Sequence, residues 1–201
     1  MPFLLLVGAF LIGAVPTGYL VVLISKGENI QKIGSGNIGS TNVGRVAGKK
    51  AALLTQAVDV SKGALVMLLT LAYVNWRPTP WLVEGVALAT MLGNAYTPFL
   101  RFRGGKGVNT MFGVFTPLFP LAAVLSFFCH LVIRKITGFV SLASLVAGFV
   151  AILAAGFIYG WTTRTAVLII SYLLVIWLHR SNIYRLYKGS EHRESKATKQ
   201  R

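Results

Sequence analysis

The chain has 201 residues, 55% of them hydrophobic and only 12% charged, with a mean hydropathy of +0.68. Soluble domains carry about 25% charged residues, so these values exclude an ordinary water-soluble fold and point to one integral membrane domain over residues 1–201. Lys and Arg number 20 against 5 Asp and Glu, a formal charge of +15, yet the bases lie between apolar runs with no soluble reader module, which excludes nucleic acid as the natural partner.

In chain order, the first expected span covers about 3–25, interrupted by Pro16 and Gly18. No Lys or Arg precedes it, so it reads as a retained helix, not a signal peptide. A polar, glycine-rich loop follows over 26–50. The second span covers about 51–76, the turn 77–80 leads to a third span over 81–100, and a basic glycine-rich segment occupies 101–107. Residues 108–133 form either one long helix or, because Pro117 and Pro120 favour a break, two shorter ones over 108–116 and 118–133. Further spans cover about 136–159 and 162–178, and a basic tail follows, frayed over 190–201.

Lys and Arg concentrate on the cytoplasmic side of membrane proteins. A broken 108–133 segment brings Lys26, Lys32, Arg45, Lys49, Lys50, Arg101, Arg103, Lys106, Arg134, Lys135, Arg180, Arg185, Lys188 and Arg193 to one face, leaving only Arg77 and Arg164 opposite. The expected fold is therefore all-α and integral to the membrane. It has about seven transmembrane helices, two of them short, with the N-terminus outside and the C-terminus cytoplasmic. The count is five if the broken pair is re-entrant. Trp76, Trp81 and Trp161 fit an aromatic belt on the outer face.

Three polar segments share the expected cytoplasmic face. The first, GSGNIGSTNVGR over 34–45, has glycines that let backbone N–H groups approach an anion. It adds the hydroxyls of Ser35, Ser40 and Thr41, the amides of Asn37 and Asn42 and the guanidinium fork of Arg45, which matches phosphate oxygens. It holds no acidic residue, which suits phosphate better than a metal. Its match to a dinucleotide fingerprint lacks the surrounding βαβ unit. A plain connecting loop is the simpler alternative, though it explains the run of donors poorly.

The second segment covers 93–110. Gly104, Gly105 and Gly107 flank Lys106 and an apolar helix follows, so a glycine turn at a helix N-terminus is offered to an anion. It is not a nucleotide loop, because Gly107 stands where a magnesium-holding Ser or Thr belongs and Leu100 where the first glycine belongs. A basic membrane anchor would explain Arg101 and Arg103 but not the glycines. The third segment covers 179–191, where His179, Asn182 and Arg185 recur at i, i+3, i+6 on one helical face. An amphipathic interfacial helix is its alternative reading. Elsewhere, Asp59 and Lys62 lie within a span at i, i+3 spacing, and mutual pairing is the simplest account of both. His130 reads as a packing or hydrogen-bonding residue. Cys129 is the only cysteine and sits in an apolar run, which makes thiol or disulfide chemistry a poor fit.

Taken together, GSGNIGSTN..R at 34–45, GN.Y.P.L.F.GGKGV.T at 93–110 and HR.NI.RL..G.E at 179–191 resemble the bacterial acyl-phosphate:glycerol-3-phosphate acyltransferase family in order, spacing and membrane setting. The family has Ala where this chain has Ser40 and usually His where it has Ala95. The resemblance implies transfer of a fatty acyl group from acyl phosphate to the 1-hydroxyl of glycerol 3-phosphate, giving lysophosphatidic acid and phosphate, with no metal or cofactor. It implies that Ser35, Thr41, Asn42 and Arg45 line the acyl-phosphate side, with Gly36, Asn37 and Ser40 beside them. Gly104, Gly105, Lys106 and Gly107 would hold glycerol 3-phosphate, next to Asn109 and Thr110. His179, Asn182, Arg185 and Glu191 would complete the site. The expected setting is the cell inner membrane, the active site on its cytoplasmic face, the protein a monomer among membrane lipids. A transporter or channel for a phosphorylated solute is the rival reading.

Overall fold

The computed structural model describes residues 1–193; the last residues of the expected frayed tail, 194–201, lie outside them. Among the described residues the chain is helical, with no strand. Nine helices follow in order: α1 Pro2–Ala14, α2 Thr17–Lys26, α3 Ser40–Trp76, α4 Leu82–Ala95, α5 Val108–Phe115, α6 Pro120–Thr137, α7 Val140–Tyr159, α8 Thr163–Leu178 and α9 Arg180–Tyr187.

Each break has a local cause. Pro16 has no N–H and separates α1 from α2, so the first span is interrupted where the sequence indicated. Pro120 stands in the first turn of α6, where a missing N–H costs nothing. The four residues 116–119 separate α5 from α6, so 108–133 is broken as expected. However, α6 is not short: it has 18 residues. Two further boundaries differ from the sequence reading. The polar loop is partly helical, because α3 starts at Ser40 and kinks at Gly48, whose φ of 85° only glycine adopts readily. The third span ends at Ala95, and residues 98–100 form a 3₁₀ turn, since Pro98 cannot continue the helix.

Among the described residues, four helical stretches are long and apolar enough to cross a membrane: Pro2–Lys26, Ser40–Trp76, Pro120–Thr137 and Val140–Tyr159; a fifth arises if α8 and α9, bent by 60°, count together. With 14 and 8 residues, α4 and α5 fall below that length. The outer surface is studded with exposed apolar side chains, including Leu65, Leu68 and Leu69 of α3, Phe128 of α6 and Phe157 of α7. So extensive an apolar exterior suits lipid, not water.

The short helices α4 and α5 are packed backbone to backbone against α1 and α3. Gly13 of α1 and Gly93 of α4 each meet the other helix so closely that a Cβ would overlap the carbonyls of Thr90 and Phe10. Gly63 of α3 and Gly113 of α5 do the same against Thr110 and Val60. Small residues are what allow such approach inside a bilayer. A core of Met67, Leu82, Val86, Met91, Val114, Leu168 and Val175 fills the centre of the bundle. The two ends of the bundle differ. Phe3 lies 5.9 Å from Trp81, and Thr163 donates to Glu84, so the N-terminus and the turns before α4 and α8 share one end. The three polar segments share the other.

Candidate active site

At that end a cavity of about 810 Å³ is lined by residues from all three segments: Ser35, Asn37, Ser40, Thr41, Asn42 and Arg45 from the first, Gly105, Lys106, Gly107, Asn109 and Thr110 from the second, and His179, Asn182, Arg185 and Glu191 from the third. Of the residues singled out in the sequence, Gly36 and Gly104 do not line it. Gly36 adopts a left-handed φ of 69° and turns the first segment. Gly104 packs the second segment onto the end of α4, its N–H donating to Ala95 O at 3.0 Å, while Gly105 N–H donates to Asn94 O at 2.9 Å.

The first segment is held in shape by its own amides. Asn42 is buried; its Oδ1 accepts from Ser35 N–H at 3.0 Å and its Nδ2 donates to Ile33 O and Asn37 O. Asn37 Oδ1 accepts from Gly39 N–H at 2.9 Å. Asn42 thus spends its polar atoms on the loop, while Ser35, Thr41 and Arg45 are exposed on the cavity wall. The N-terminus of α3, with Ser40 and Thr41 in its first turn, opens on the cavity. So does the N-terminus of α5, reached through Gly107 at φ 80°. Two helix N-termini thus turn oriented N–H groups, the chemistry suited to an anion, toward the cavity. Asn109 Nδ2 ties them together by donating to Ser40 Oγ at 3.1 Å. The approach to the glycine turn carries two non-glycine residues in the left-handed region, Arg101 (φ 54°) and Phe102 (φ 61°). Such backbone is uncommon for bulky residues and concentrates at functional loops.

Lys106 reaches across to the third segment and donates to Asn182 Oδ1. Burial pushes its ammonium down to about 8, helped by repulsion from Arg185 and Arg45 and opposed by Glu191. Glu191 is a hub: Oε1 accepts from Ser141 Oγ at 2.8 Å and from Asn182 Nδ2 at 2.6 Å, and Oε2 pairs with Arg185 Nε at 2.7 Å. Burial alone would raise its pKa, but these hydrogen bonds outweigh it and hold the carboxyl below its ordinary value. His179 is buried, and its ring Nδ1 lies 2.8 Å from Val175 O. A carbonyl only accepts, so Nδ1 carries the hydrogen and Nε2 the lone pair. Burial, then repulsion from Lys106, drive its pKa down to about 4, leaving the imidazole neutral near pH 7.

Several wall residues were not expected at the site from the sequence. Gln56, His130, Arg134, Ser141 and Ser144 project from α3, α6 and α7 into the same cavity. Arg134 reads in the sequence only as a topology charge and His130 as a packing or hydrogen-bonding residue, and the packing alone reveals that these side chains line the cavity. A second, apolar pocket of about 100 Å³ adjoins the first and shares Gln56, Val108, Asn109, His130 and Ser144 with it. Its other lining residues include Met111, Phe112, Phe115, Phe119, Phe127 and Leu168.

The class these features define is an integral membrane protein, a bundle of apolar helices with a basic, glycine-lined cavity at one end and an apolar pocket beside it. The family model described as glycerol-3-phosphate acyltransferase matches residues 3–189, and the chain belongs to that family. Glycerol-3-phosphate acyltransferase of Thermus thermophilus is 43% identical over 188 residues, 92% of this chain and 91% of the relative. The protein of that name from Clostridium acetobutylicum is 38% identical over 187 residues, 91% of this chain and 94% of the relative. The crystal structure of PlsY, an integral membrane glycerol 3-phosphate acyltransferase, in its glycerol 3-phosphate form superposes with a TM-score of 0.87 at 35% identity, covering 96% of each chain. Its lysophosphatidic acid form gives 0.84 at 35% identity, covering 96% of this chain and 95% of that one.

Proposed function

We propose that the protein transfers a fatty acyl group from acyl phosphate to the 1-hydroxyl of glycerol 3-phosphate, releasing lysophosphatidic acid and inorganic phosphate. The observation that carries this reading is the convergence of all three polar segments on one cavity that runs into an apolar pocket. Two helix N-termini, Arg45 and Lys106 suit two phosphates, and the phenylalanine-lined pocket suits an acyl chain. The relatives' names and the two ligand forms of the solved neighbour support the acceptor; the motif resemblance supports acyl phosphate as donor. We read the N-terminus as external and the site as cytoplasmic at the inner membrane, a reading supported by the N-terminus and the Trp81 turn lying at the end opposite the basic cavity.

Acyl phosphate is already an activated mixed anhydride, so the protein's task is to overcome repulsion between two anions and to align the hydroxyl with the carbonyl. The acceptor hydroxyl oxygen bonds to the acyl carbon, the bond from that carbon to the phosphate oxygen breaks, and phosphate leaves with the electron pair. Arg45, Lys106 and the oriented N–H groups stabilise the oxyanion and the leaving phosphate. The hydroxyl proton goes to a substrate phosphate. His179 is a weak proton acceptor with a pKa of about 4, although its Nε2 is the basic nitrogen.

Purified protein incubated with palmitoyl phosphate and labelled glycerol 3-phosphate should form labelled lysophosphatidic acid, and palmitoyl-coenzyme A should not replace the donor. Label accumulating in liposomes without product would establish a transporter instead. Arg45→Ala or Lys106→Ala should abolish transfer while His179→Ala stays within about tenfold of wild type. A loss beyond about 10²-fold at His179 would make it the general base.

A further inference from the structure

Deep in the bundle, one charged residue does more than its ion pair requires. Lys62 of α3 is 8% exposed. Asp59 lies 2.8 Å from its ammonium, the pairing expected from their spacing. The same ammonium also donates to Val15 O at 3.0 Å and to Asn94 Oδ1 at 3.2 Å. All three ammonium protons are thereby used, on α3, on α4 and on the non-helical Val15. The Val15 carbonyl belongs to the break between α1 and α2, where Pro16 ends the first helix. Asp59 is held in turn by Thr17 Oγ1 at 2.9 Å, on the far side of that break.

Asn94 is where this network meets the site. Its Oδ1 accepts from Lys62 and, at 3.1 Å, from Thr110 Oγ1 of α5. Two donors on one oxygen fix which way the amide faces. Nδ2 therefore lies under the glycine turn, close enough that a Cβ on Gly105 or Gly107 would meet it at 3.3 or 3.6 Å. The backbone carbonyl of Asn94 accepts the Gly105 N–H. Lys106 follows immediately. Val15, Thr17, Asp59, Asn94 and Thr110 all line the cavity, so the network forms its floor.

We propose that Lys62 is a positioning residue for the acceptor site: through Asn94 it sets the 104–107 turn and so the placement of Lys106 against glycerol 3-phosphate. The role rests on the acyltransferase reading above. A purely structural ion pair would need only Asp59; the bonds to Val15 and Asn94 join the α1–α2 break, α4 and α5 into one support.

Lys62→Met alone would strand the Asp59 carboxylate, so the test uses Asp59→Asn with Lys62→Met. This pair keeps an acceptor for Thr17 and removes the bond to Asn94. Steady-state rates with palmitoyl phosphate and glycerol 3-phosphate are measured on protein giving a single symmetric gel-filtration peak. The double variant should raise KM for glycerol 3-phosphate at least tenfold and leave KM for palmitoyl phosphate within threefold. Gly8→Ala, where nothing lies within 4 Å of an added Cβ, should keep both within threefold. An unchanged acceptor KM in the double variant, or an equal rise in both KM values, overturns the proposal. Asp59→Leu with Lys62→Met provides a second route, since apolar replacement of a buried ion pair is often neutral. If neither pair yields folded protein, the network is structural and the positioning role is refuted. An inactive wild-type protein would refute the acyltransferase reading instead.

Discussion

Gly104→Ala is a sharp test of how tightly the glycine turn is set. A Cβ there would overlap Asn94 O and stand 2.6 Å from Ala95 O and 2.8 Å from Ala95 C. These are backbone atoms at the end of α4, which Gly93 already seats against α1, so they cannot swing aside. The turn must lift by about 1 Å to restore ordinary contact. Lifting it stretches the bonds from Gly104 N–H to Ala95 O and from Gly105 N–H to Asn94 O, now 3.0 and 2.9 Å. Lys106 and the N-terminus of α5 move with them. A misplacement of about 1 Å at reacting groups costs about 10²-fold in rate, equivalent to about 2.7 kcal/mol. Initial rates of labelled lysophosphatidic acid formation should therefore show kcat/KM for glycerol 3-phosphate reduced about 10²-fold. Gly8→Ala is the control, since nothing lies within 4 Å of a Cβ there; it should leave the rate unchanged. If Gly104→Ala keeps kcat/KM within about threefold, the turn is compliant and the placement of Lys106 does not depend on it.

Two further outcomes follow from the ionisable groups. Lys106 binds phosphate as an ammonium, and its pKa of about 8 means that kcat/KM for glycerol 3-phosphate should fall above pH 8, approaching tenfold per unit. Lys106→Arg stays charged and should flatten that limb; a wild-type profile level to pH 10 would contradict the assignment. The same depressed pKa makes the buried ammonium a cost to stability below pH 8, relieved as pH rises towards the ordinary value of 10.5. Glu191 has the opposite sign: its carboxyl is held down, so its contribution is full above the ordinary carboxylate range and fades as pH falls below it. Glu191→Gln should lower Tm by about 5 °C near pH 7, taking roughly 2 kcal/mol for the charge-assisted bonds from Asn182 and Arg185. The difference from wild type should shrink in acid, and thermal melts across pH measure both.

Much of the site was legible because its chemistry is written in contiguous runs. The donors of 34–45 and the glycines of 104–107 announce an anion site without any knowledge of packing, and Pro117 and Pro120 announce the broken pair. What the sequence conceals is how polar atoms are shared. Asn42 looks like a ligand to substrate, yet its side chain is committed to Ser35, Ile33 and Asn37. Thr110 likewise faces Asn94. Hydrogen-bond partners depend on tertiary placement, which no spacing encodes. Asp59 and Lys62 were paired correctly from their i, i+3 spacing, but Val15 and Asn94 are 47 and 32 residues away from Lys62 and left no trace. The helical start at Ser40 was hidden because Gly48 separates it from the apolar run and polar donors mask its periodicity.

The reciprocal glycine contacts also bear on biogenesis. At 1.5 Å per residue, a helix of 14 or 8 residues reaches about 21 or 12 Å, short of the roughly 30 Å hydrocarbon core. Neither α4 nor α5 can therefore partition into a bilayer as an independent unit. Each is seated backbone to backbone on a membrane-length stretch that precedes it in the chain, α4 on the α1 part of Pro2–Lys26 and α5 on α3. Translation runs from the N-terminus, so each short helix leaves the ribosome after its template is already made. Substituting Gly13 or Gly63 with a bulky residue would thus strike during membrane integration, leaving a later segment without the surface that carries it across.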